Sequence, residues 1–491
     1  MNKQSEKLAK AIAYEAKKKK ERDEDKRPAF HVTPTTGWCN DPNGFSRFGE
    51  EYHLFYQYYP YENKWGPMHW GHCRTKDFIK WEELPCALAP DMEYDGQGCF
   101  SGTAVEHEGK HILMYTSVLE KDLEDGTHMV RQTQSIAIGD GENYEKVAEN
   151  PVITADCLPE GSSPVDFRDP KIWKEDGRFY ALIGSKAEDG SGQLALFTSE
   201  DALHWNYEKM IDQCKNRYGK MWECPDFFAL DGCQVLIVSP QFMRAEGLEF
   251  HNGNNSIYFT GDYEKETMTY TRGDARQVDY GMDFYAPQTT ELPDGRRIMI
   301  AWMKSWDACV IPNSQVWQGM MTLPRELELK DGKIWQTPVR EIEKYHKNPC
   351  RYDHAEINQE TTLCGIEGRT IDLTVLLEED EFQTFSMKLA ANKEYETSFT
   401  YHKAENMLEI DRTYCGVTKD VVCVRKLKIS NPEGLKKMRF ILDRQSIELF
   451  LNDGEQVATT AICTPLEAQE IHFYSDKKIH INVEKYGIVK L

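Results

Sequence analysis

The chain has 491 residues, of which 40% are hydrophobic and 11% aromatic, enough for a large core and for more than one domain. Its formal net charge of −22 would repel nucleic acid and anionic membrane surfaces, so neither is expected as a partner. No apolar run reaches the length of a signal peptide or a membrane-spanning helix, and we therefore expect a cytoplasmic protein.

The first 28 residues are rich in Lys, Glu and Ala, and they predict a short helical segment ahead of the first domain. The run of four lysines at 17–20 is expected to be a solvated helix face. The fourteen cysteines contain neither a C-x-x-C pair nor a Cys/His cluster. This pattern predicts reduced thiols and gives poor support for a disulfide framework or a zinc site.

A turn glycine followed by an apolar, β-rich run recurs five times between residues 30 and 340. The five glycines are Gly49, Gly109, Gly177, Gly232 and Gly295, at intervals of 55 to 68 residues. Such turns before apolar runs indicate β-hairpins. Their recurrence at a long, roughly constant interval is typical of a bladed propeller. We predict an all-β fold with a five-bladed β-propeller over residues 29–335.

Polar residues recur at similar distances before these turns. Eight to twelve positions before the successive turns lie Asp41, Ser101, Asp169, Glu223, and Asp283 with Tyr285. If the strand leading into each hairpin lines the axis, these positions converge at one end of the central channel. Clustered carboxylates repel one another and are costly unless they are used. A ring of solvated polar residues in a wet channel is the alternative.

Paired carboxylates across a cleft suit hydrolysis of a glycosidic bond, in which one group is protonated and the other ionised. Asp41, in GWCNDPNGF, sits among amide donors, which favour the charged form and hence a nucleophile. Glu223, in MWECPDFF, has apolar neighbours, which favour the protonated form that a general acid requires. Asp169 follows Arg168, and this pairing would keep Asp169 charged and suited to holding substrate hydroxyls.

Aromatic residues near these acids suit a sugar ligand, because sugar rings present apolar C–H faces to such side chains. The aromatics near the acids or on predicted blade strands are Trp38, Trp65, Trp70, Phe100, Tyr285 and Trp302. Packing between blades is the alternative. We expect packing for Trp70, Trp81 and Trp173, but not for Trp65.

The motifs WCNDPNG, FRDP and WECPD, in this order, resemble the three signature acids of glycoside hydrolase family 32. The resemblance continues through EYHLFYQYYP, WGPMHWGH, CFSGTA, DFYAPQ and GMMTLPREL, and it covers about residues 29 to 327. Within the family, the sequence is most similar to the bacterial intracellular sucrose and sucrose-6-phosphate hydrolases.

The resemblance implies a five-bladed propeller followed by a C-terminal β-sandwich, and hydrolysis of a terminal β-D-fructofuranoside with retention. Asp41 would be the nucleophile, Glu223 the acid/base and Asp169 the transition-state stabiliser, with the two catalytic carboxyls about 5 to 5.5 Å apart. The substrate-binding residues expected are Asn40, Gln57, Trp65, Phe100, Ser101 and Arg168, together with the aromatics Trp38, Tyr285 and Trp302. Neither a metal nor an organic cofactor is needed. The sequence departs from the family at Cys39, where Met is common.

Residues 336–349 predict a linker with a short helical connector, and residues 350–491 alternate polar and apolar residues as the strands of a β-sandwich do. An N-D-G turn at 452–454 predicts one of its hairpins. Whether this domain binds sugar, forms a homodimer or only covers the propeller stays open.

The substrate also stays open in part. A 6-phosphate would need a nearby cation, and Arg74, Lys304 and Arg325 are the candidates considered. One alternative activity is exo-hydrolysis of short fructans or other fructose-containing oligosaccharides. The other is a fructan-binding propeller without catalysis, which predicts at least one lost acid, whereas all three acids are present.

Overall fold

The computed structural model describes residues 5–308, 315–378, 380–417 and 421–489, so residues 1–4 and 490–491 of the predicted first and last segments lie outside it. Helix α1, Glu6–Lys19, is capped at its N-terminus by Ser5, whose side chain accepts a hydrogen bond from the Leu8 backbone N–H. Its apolar face packs on the first sheet, where Glu15 accepts from the Cys86 backbone N–H at 3.0 Å. No helix among the described residues is long and apolar enough to cross a membrane.

Between residues 37 and 338, with the exception of 309–314, the structure describes twenty-two strands, which form five separate sheets. The first sheet contains β1 Gly37–Phe48, β2 Glu51–Tyr59, β3 His69–Thr75 and β4 Trp81–Leu88. The second contains β5 Gly98–His107, β6 Lys110–Asp122, β7 His128–Gly139 and β8 Tyr144–Lys146. The third contains β9 Phe167–Glu175, β10 Arg178–Lys186, β11 Gly192–Ser199 and β12 Asn206–Gln213.

The fourth sheet contains β13 Met221–Leu230, β14 Cys233–Gln241, β15 Ile257–Glu264, β16 Thr269–Arg272 and the short β17 Arg276–Gln277. The fifth contains β18 Tyr285–Glu291, β19 Arg297–Trp302, β21 Arg325–Lys330 and β22 Lys333–Pro338. Strand β20, Trp317–Gln318, crosses back and pairs in parallel with β1. The first strands of the sheets, β1, β5, β9, β13 and β18, contact one another in a closed ring. The predicted five-bladed propeller is therefore confirmed.

Each of these five inner strands carries a β-bulge at an equivalent position. The pairing with the neighbouring strand slips at Asn40–Asp41, Ser101, Asp169–Pro170, Cys224–Pro225 and Ala286–Pro287. Proline, which cannot donate to a ladder, is tolerated at such bulges, and it follows the bulged residue in four of the five blades. In the second blade Gly102 takes its place, because an added Cβ would lie 1.9 Å from the Met114 carbonyl oxygen. A bulge changes the direction in which side chains project, and here the five bulges lie at one end of the channel.

The described part of the C-terminal domain contains ten strands: β23 His346–Thr361, β24 Ile371–Leu377, β25 Thr384–Ala391, β26 Thr397–His402, β27 Met407–Asp411, β28 Val424–Lys428, β29 Lys437–Asp443, β30 Ser446–Leu451, β31 Gln456–Ala461 and β32 Glu470–Ile488. The long β32 pairs with β25 near its start and with β24 near its end. It therefore belongs both to the half of the domain formed by β25–β28 and to the half formed by β24 and β29–β31. One hydrophobic core joins the halves, with the rings of Phe399 and Phe440 5.1 Å apart. This confirms the predicted β-sandwich.

Five short 3-10 helices complete the described secondary structure: Glu24–Lys26, Glu93–Asp95, Ala155–Cys157, Arg340–Tyr345 and Asn452–Gly454. The fourth lies between the last propeller strand and β23, within the segment predicted to be a helical connector. The fifth forms the N-D-G turn between β30 and β31.

A buried ionic network holds the two domains together. Arg325, on β21, is fully buried and donates to Asp279 at 2.9 Å and to Glu448 of the sandwich at 3.1 Å. The His31 ring lies between Asp443 and Glu448, at 2.9 and 2.8 Å. Buried charges are tolerated when they are paired in this way.

Candidate active site

A cavity of about 330 Å³ opens at the end of the channel where the bulges lie. Its walls are formed by Asn40, Asp41, Gln57, Trp65, Phe100, Ser101, Gln132, Arg168, Asp169, Glu223 and Trp306. These include all three predicted acids and six of the nine predicted substrate-binding residues. The volume is in the range of small-molecule sites.

The other three predicted residues form the layer behind this wall. Trp302 and Tyr285 are fully buried, and Trp38 is 8% exposed. The Trp38 and Trp302 rings lie 6.0 Å apart in an edge-on arrangement, and the Tyr285 hydroxyl donates to Glu223 Oε2 at 2.7 Å. These side chains support the cavity from behind rather than line it.

Asp41 projects from the bulge of β1. Its Oδ2 accepts a hydrogen bond from the Ser101 hydroxyl at 2.6 Å, while Oδ1 is buried and accepts none from the described residues. Burial raises the pKa of Asp41 to about 6, the charge of Glu223 adds to the rise, and the Ser101 hydrogen bond opposes it. The donors near Asp41 favour its charged form, as the sequence predicts, but burial is the larger effect and favours the protonated form.

Glu223 is held by a cation, which corrects the predicted apolar setting. Arg168 donates to Glu223 Oε1 through Nε at 3.0 Å and Nη2 at 2.9 Å, and through Nη1 to Asp166 at 3.1 Å. The apolar neighbour Trp222 is instead buried in the core between the third and fourth blades. The sequence predicts a pair between Arg168 and Asp169, but the Arg168 guanidinium reaches Glu223 of the next blade, and the bulge at Asp169–Pro170 turns the Asp169 carboxylate toward Cys224.

Asp169 occupies a left-handed conformation, with φ +65°, and its carboxylate turns toward the chain at Cys224. Asp169 Oδ2 accepts from the Cys224 backbone N–H at 3.1 Å, and the Cys224 Sγ lies 3.6 Å from it and 3.7 Å from Asp41 Oδ2. Burial raises the pKa of Asp169 to about 7, Glu223 adds to the rise, and Arg168 opposes it. Cys224 therefore lies between the two aspartates.

The site thus gathers three carboxyl groups and one guanidinium in a largely buried space. Because the pKa values of Asp41 and Asp169 lie near 6 and 7, the set retains a proton close to neutral pH. A site that holds both an ionised and a protonated carboxyl group can perform acid/base or covalent chemistry on a glycosidic bond.

Three residues of the site were not predicted. Gln132 accepts from the Phe167 backbone N–H at 3.0 Å and lies on β7, the third strand of its blade, whereas the spacing before the turns points only to inner strands. Trp306 is 41% exposed, and its ring lies 6.3 Å from that of Trp38 in a stacked arrangement. It follows β19 in a segment without periodicity. Cys224 could have been found from its place before a proline, like Asp41 and Asp169.

The candidate phosphate-binding cations do not line the cavity. Arg325 belongs to the network between domains, and Arg74 pairs with Glu82 at 2.7 Å on the first blade. Lys304 is 3% exposed, with its Nζ 4.4 Å from the centre of the Trp38 ring. Cys39, the departure from the family, is buried in the core of the first blade.

Comparisons with known proteins agree with this architecture. Residues 31–338 match the family described as glycosyl hydrolases family 32 N-terminal domain, and residues 341–488 match glycosyl hydrolases family 32 C terminal. The chain is 38% identical to a sucrose-6-phosphate hydrolase of Zymomonas mobilis over 449 residues, covering 87% of this chain and 84% of that protein.

Solved structures are similar over nearly the whole chain. A variant of a Bombyx mori family 32 β-fructofuranosidase in complex with sucrose has a TM-score of 0.87 and 32% identity, with 99% of both chains covered. The sucrose-6-phosphate hydrolase of Lactobacillus gasseri has a TM-score of 0.84 and 28% identity, covering 99% of this chain and 97% of that one. The chain described here, with its five-bladed propeller, its sandwich and its three clustered acids, belongs to glycosyl hydrolase family 32.

Proposed function

We propose that the protein is a β-fructofuranosidase that hydrolyses sucrose or sucrose 6-phosphate with retention of configuration. The observation that carries the proposal is that Asp41, Asp169 and Glu223, from three different blades, meet in one cavity of about 330 Å³. The names of the relatives, which include sucrose-6-phosphate hydrolases and a β-fructofuranosidase with sucrose bound, support the substrate class.

In the proposed reaction, Asp41 attacks the anomeric carbon of the fructosyl unit, and the bond from this carbon to the glucosyl oxygen breaks. Glu223 gives its proton to the departing oxygen. Asp41 Oδ1, which accepts no hydrogen bond from any residue that the structure describes, suits the attack, because Ser101 already occupies Oδ2 and fixes the orientation of the carboxylate.

In the second half of the reaction, Glu223 takes a proton from water while the water oxygen attacks the anomeric carbon of the fructosyl ester. The ester bond to Asp41 breaks, fructose leaves, and both carboxyl groups return to their starting states. Arg168 and Tyr285 hold the two oxygens of Glu223 in place. Asp169 would accept hydrogen bonds from fructosyl hydroxyls that tighten as positive charge develops in the ring.

The test is product release by the full-length protein. Glucose or glucose 6-phosphate, and fructose, are measured from sucrose, sucrose 6-phosphate and a short inulin-type oligosaccharide. We expect Asp41→Asn and Glu223→Gln to lose about 10²-fold or more in kcat, a typical contribution of groups in these roles. The exposed Asp262→Asn is the charge-matched control and should keep the wild-type rate.

Retention is tested separately by adding methanol, which should yield methyl β-D-fructofuranoside. If wild type cleaves none of the three substrates yet binds fructosides, the protein is a binding propeller. If it prefers the oligosaccharide, the exo-hydrolase alternative replaces sucrose hydrolysis. Equal activity of Asp41→Asn and wild type would contradict the assignment of the nucleophile.

From the residue pattern we also propose a cytoplasmic enzyme that acts on a small fructoside without nucleic acid or membrane partners, and that can form a homodimer. We propose the segment boundaries 1–28, 29–335, 336–349 and 350–491. Cell fractionation, size-exclusion chromatography with light scattering, and limited proteolysis test these points.

A further inference from the structure

A second cavity, of about 440 Å³, lies where the propeller meets the edge of the sandwich. One wall is the segment after β14, including Glu249 and His251. Another is the turn at Ser305–Ala308, which follows β19. The third is β28, an edge strand of the sandwich that contributes Arg425. Clefts between domains are common places for small-molecule sites.

Arg425 is the unusual feature of this cleft. The side chain is partly buried, and its Nε is shielded from solvent without a hydrogen-bond acceptor among the described residues. Burial lowers the pKa of the Arg425 guanidinium, and the charges of Asp283 and Asp307 oppose this. Buried polar atoms in folded proteins are almost always partnered, so a shielded Nε that has no partner among the described residues, in an arginine that lines a cavity, needs an explanation.

The acids of the cleft, in contrast, already have protein partners. Glu249 accepts from the Gln277 backbone N–H and from the Tyr280 hydroxyl, both at 3.0 Å. Asp307 accepts from the backbone and side-chain nitrogens of Asn254, at 2.6 and 2.9 Å. Among the described residues of this cleft, the buried side-chain atoms left without a partner are therefore Arg425 Nε, which carries part of a positive charge, and the neutral Gln277 Oε1.

The two other basic side chains of the cleft, Lys426 and His251, are less suited than Arg425 to bind an anion. Lys426 pairs with Glu409 at 2.8 Å. The His251 Nε2 lies 3.1 Å from the Asn254 carbonyl oxygen, and burial lowers the pKa of His251 to about 3, so the ring is neutral at physiological pH. An anionic group on a ligand would thus be drawn to Arg425, whose planar guanidinium can bind phosphate or carboxylate oxygens in pairs.

The rest of the lining points to the other part of the ligand. Leu248, Phe250 and Met282 supply apolar surface, as the C–H faces of a sugar require. Asn252 and His251 in the first wall and the carboxylate of Asp307 in the second can exchange hydrogen bonds with hydroxyl groups. We propose that this cleft binds a hexose phosphate, with the phosphate on Arg425 and the sugar against the propeller.

The cleft shares a short turn with the active-site cavity. Trp306 lines the catalytic cavity, while its neighbours Ser305 and Asp307 line the second cleft. A ligand that contacts Asp307 from one side therefore acts on the same turn that presents Trp306 to the substrate. This placement predicts that a hexose phosphate changes the KM for sucrose. The site is independent of the reaction proposed above, since it contains none of the catalytic acids.

The test measures binding of glucose 6-phosphate to the full-length protein by calorimetry and thermal shift, with glucose and inorganic phosphate as comparison ligands. We expect glucose 6-phosphate to raise the melting temperature and to bind at least tenfold more tightly than either comparison ligand. Arg425→Gln should abolish this shift. Arg425→Lys, which keeps the charge but not the paired donors, should weaken binding about tenfold or more.

The matched control is Arg351→Gln, which removes an exposed arginine of the same domain that pairs with Glu484. It should bind glucose 6-phosphate as wild type does. Without ligand, Arg425→Gln should melt close to the wild-type temperature, because the cost of burying the charge is removed together with the attraction of Asp283 and Asp307. It should cleave sucrose at the wild-type rate, since Arg425 does not line the catalytic cavity.

Three results would overturn the proposal. The first is the absence of a thermal shift in wild type. The second is an equal shift in Arg425→Gln, above all if excess fructose displaces the ligand, because glucose 6-phosphate would then occupy the catalytic cavity. The third is equal binding of inorganic phosphate, which would remove the sugar from the assignment. None of these depends on whether sucrose is cleaved.

Discussion

The hydrogen bond from Ser101 to Asp41 should set the pH at which the enzyme becomes active. Substitution Ser101→Ala removes the donor that lies 2.6 Å from Asp41 Oδ2. A hydrogen bond to a charged group contributes about 1.5–3 kcal/mol, and one pKa unit corresponds to about 1.4 kcal/mol. The pKa of Asp41, about 6 in wild type, should therefore rise by about one to two units.

The assay is the pH dependence of kcat/KM for sucrose, which reports the ionisation of the free enzyme. In wild type, kcat/KM should increase as pH rises through about 6 to 7, where Asp41 and Asp169 lose their protons. For a rise of one unit, Ser101→Ala should be about fivefold less active than wild type near pH 6, and the difference should shrink above pH 8. An unchanged acidic limb would refute the claim that Ser101 stabilises the charged nucleophile.

The control is Ser46→Ala, on the same strand as Asp41. The Ser46 hydroxyl donates to the Gly44 carbonyl oxygen at 2.8 Å and lies 2.9 Å from the His111 ring, so it does not contact the acids. Removal of the Ser46 hydroxyl should leave the acidic limb of the pH profile of kcat/KM at the wild-type pH.

Three further predictions concern stability and the mouth of the site. Burial opposes the charge on His31, but its bonds to Asp443 and Glu448 outweigh burial and raise its pKa to about 9. This stabilisation is complete below pH 6.5 and should be lost as pH rises through 9, by about 3 kcal/mol, a loss that His31→Gln should not show in pH-dependent melting. Burial lowers the pKa of His53 to about 4, so stability should fall as pH drops from 6.5 toward 4, and His53→Gln should flatten this slope in the same assay. Trp306→Ala should raise the KM for sucrose severalfold with a smaller change in kcat, as steady-state kinetics would show.

Much of the fold could be predicted because each blade repeats its turn and its inner strand. Asp41, Ser101 and Asp169 share one spacing because they occupy equivalent bulges. Glu223 has a different spacing because its neighbour Cys224 occupies the equivalent position. The proline after the bulge is a stronger marker of these positions than the distance to the turn.

The partners within the site were harder to predict, because they depend on the direction of side chains between blades. Arg168 precedes Asp169 in sequence but binds Glu223 of the next blade. Asp283, considered with the channel residues, is instead fully buried and pairs with Arg412 of the sandwich. Trp306 lies in an irregular segment with no pattern to reveal it.

The central claim is that Asp41 forms a covalent bond to the fructosyl unit, and trapping that bond tests it most directly. In Glu223→Gln, an activated substrate such as 4-nitrophenyl β-D-fructofuranoside can form the ester without acid assistance, whereas water attack lacks its base. Mass spectrometry of the quenched, digested protein should find one anhydrohexose on the peptide that contains Asp41. An adduct on Asp169, or release of 4-nitrophenol without any adduct, would contradict the account.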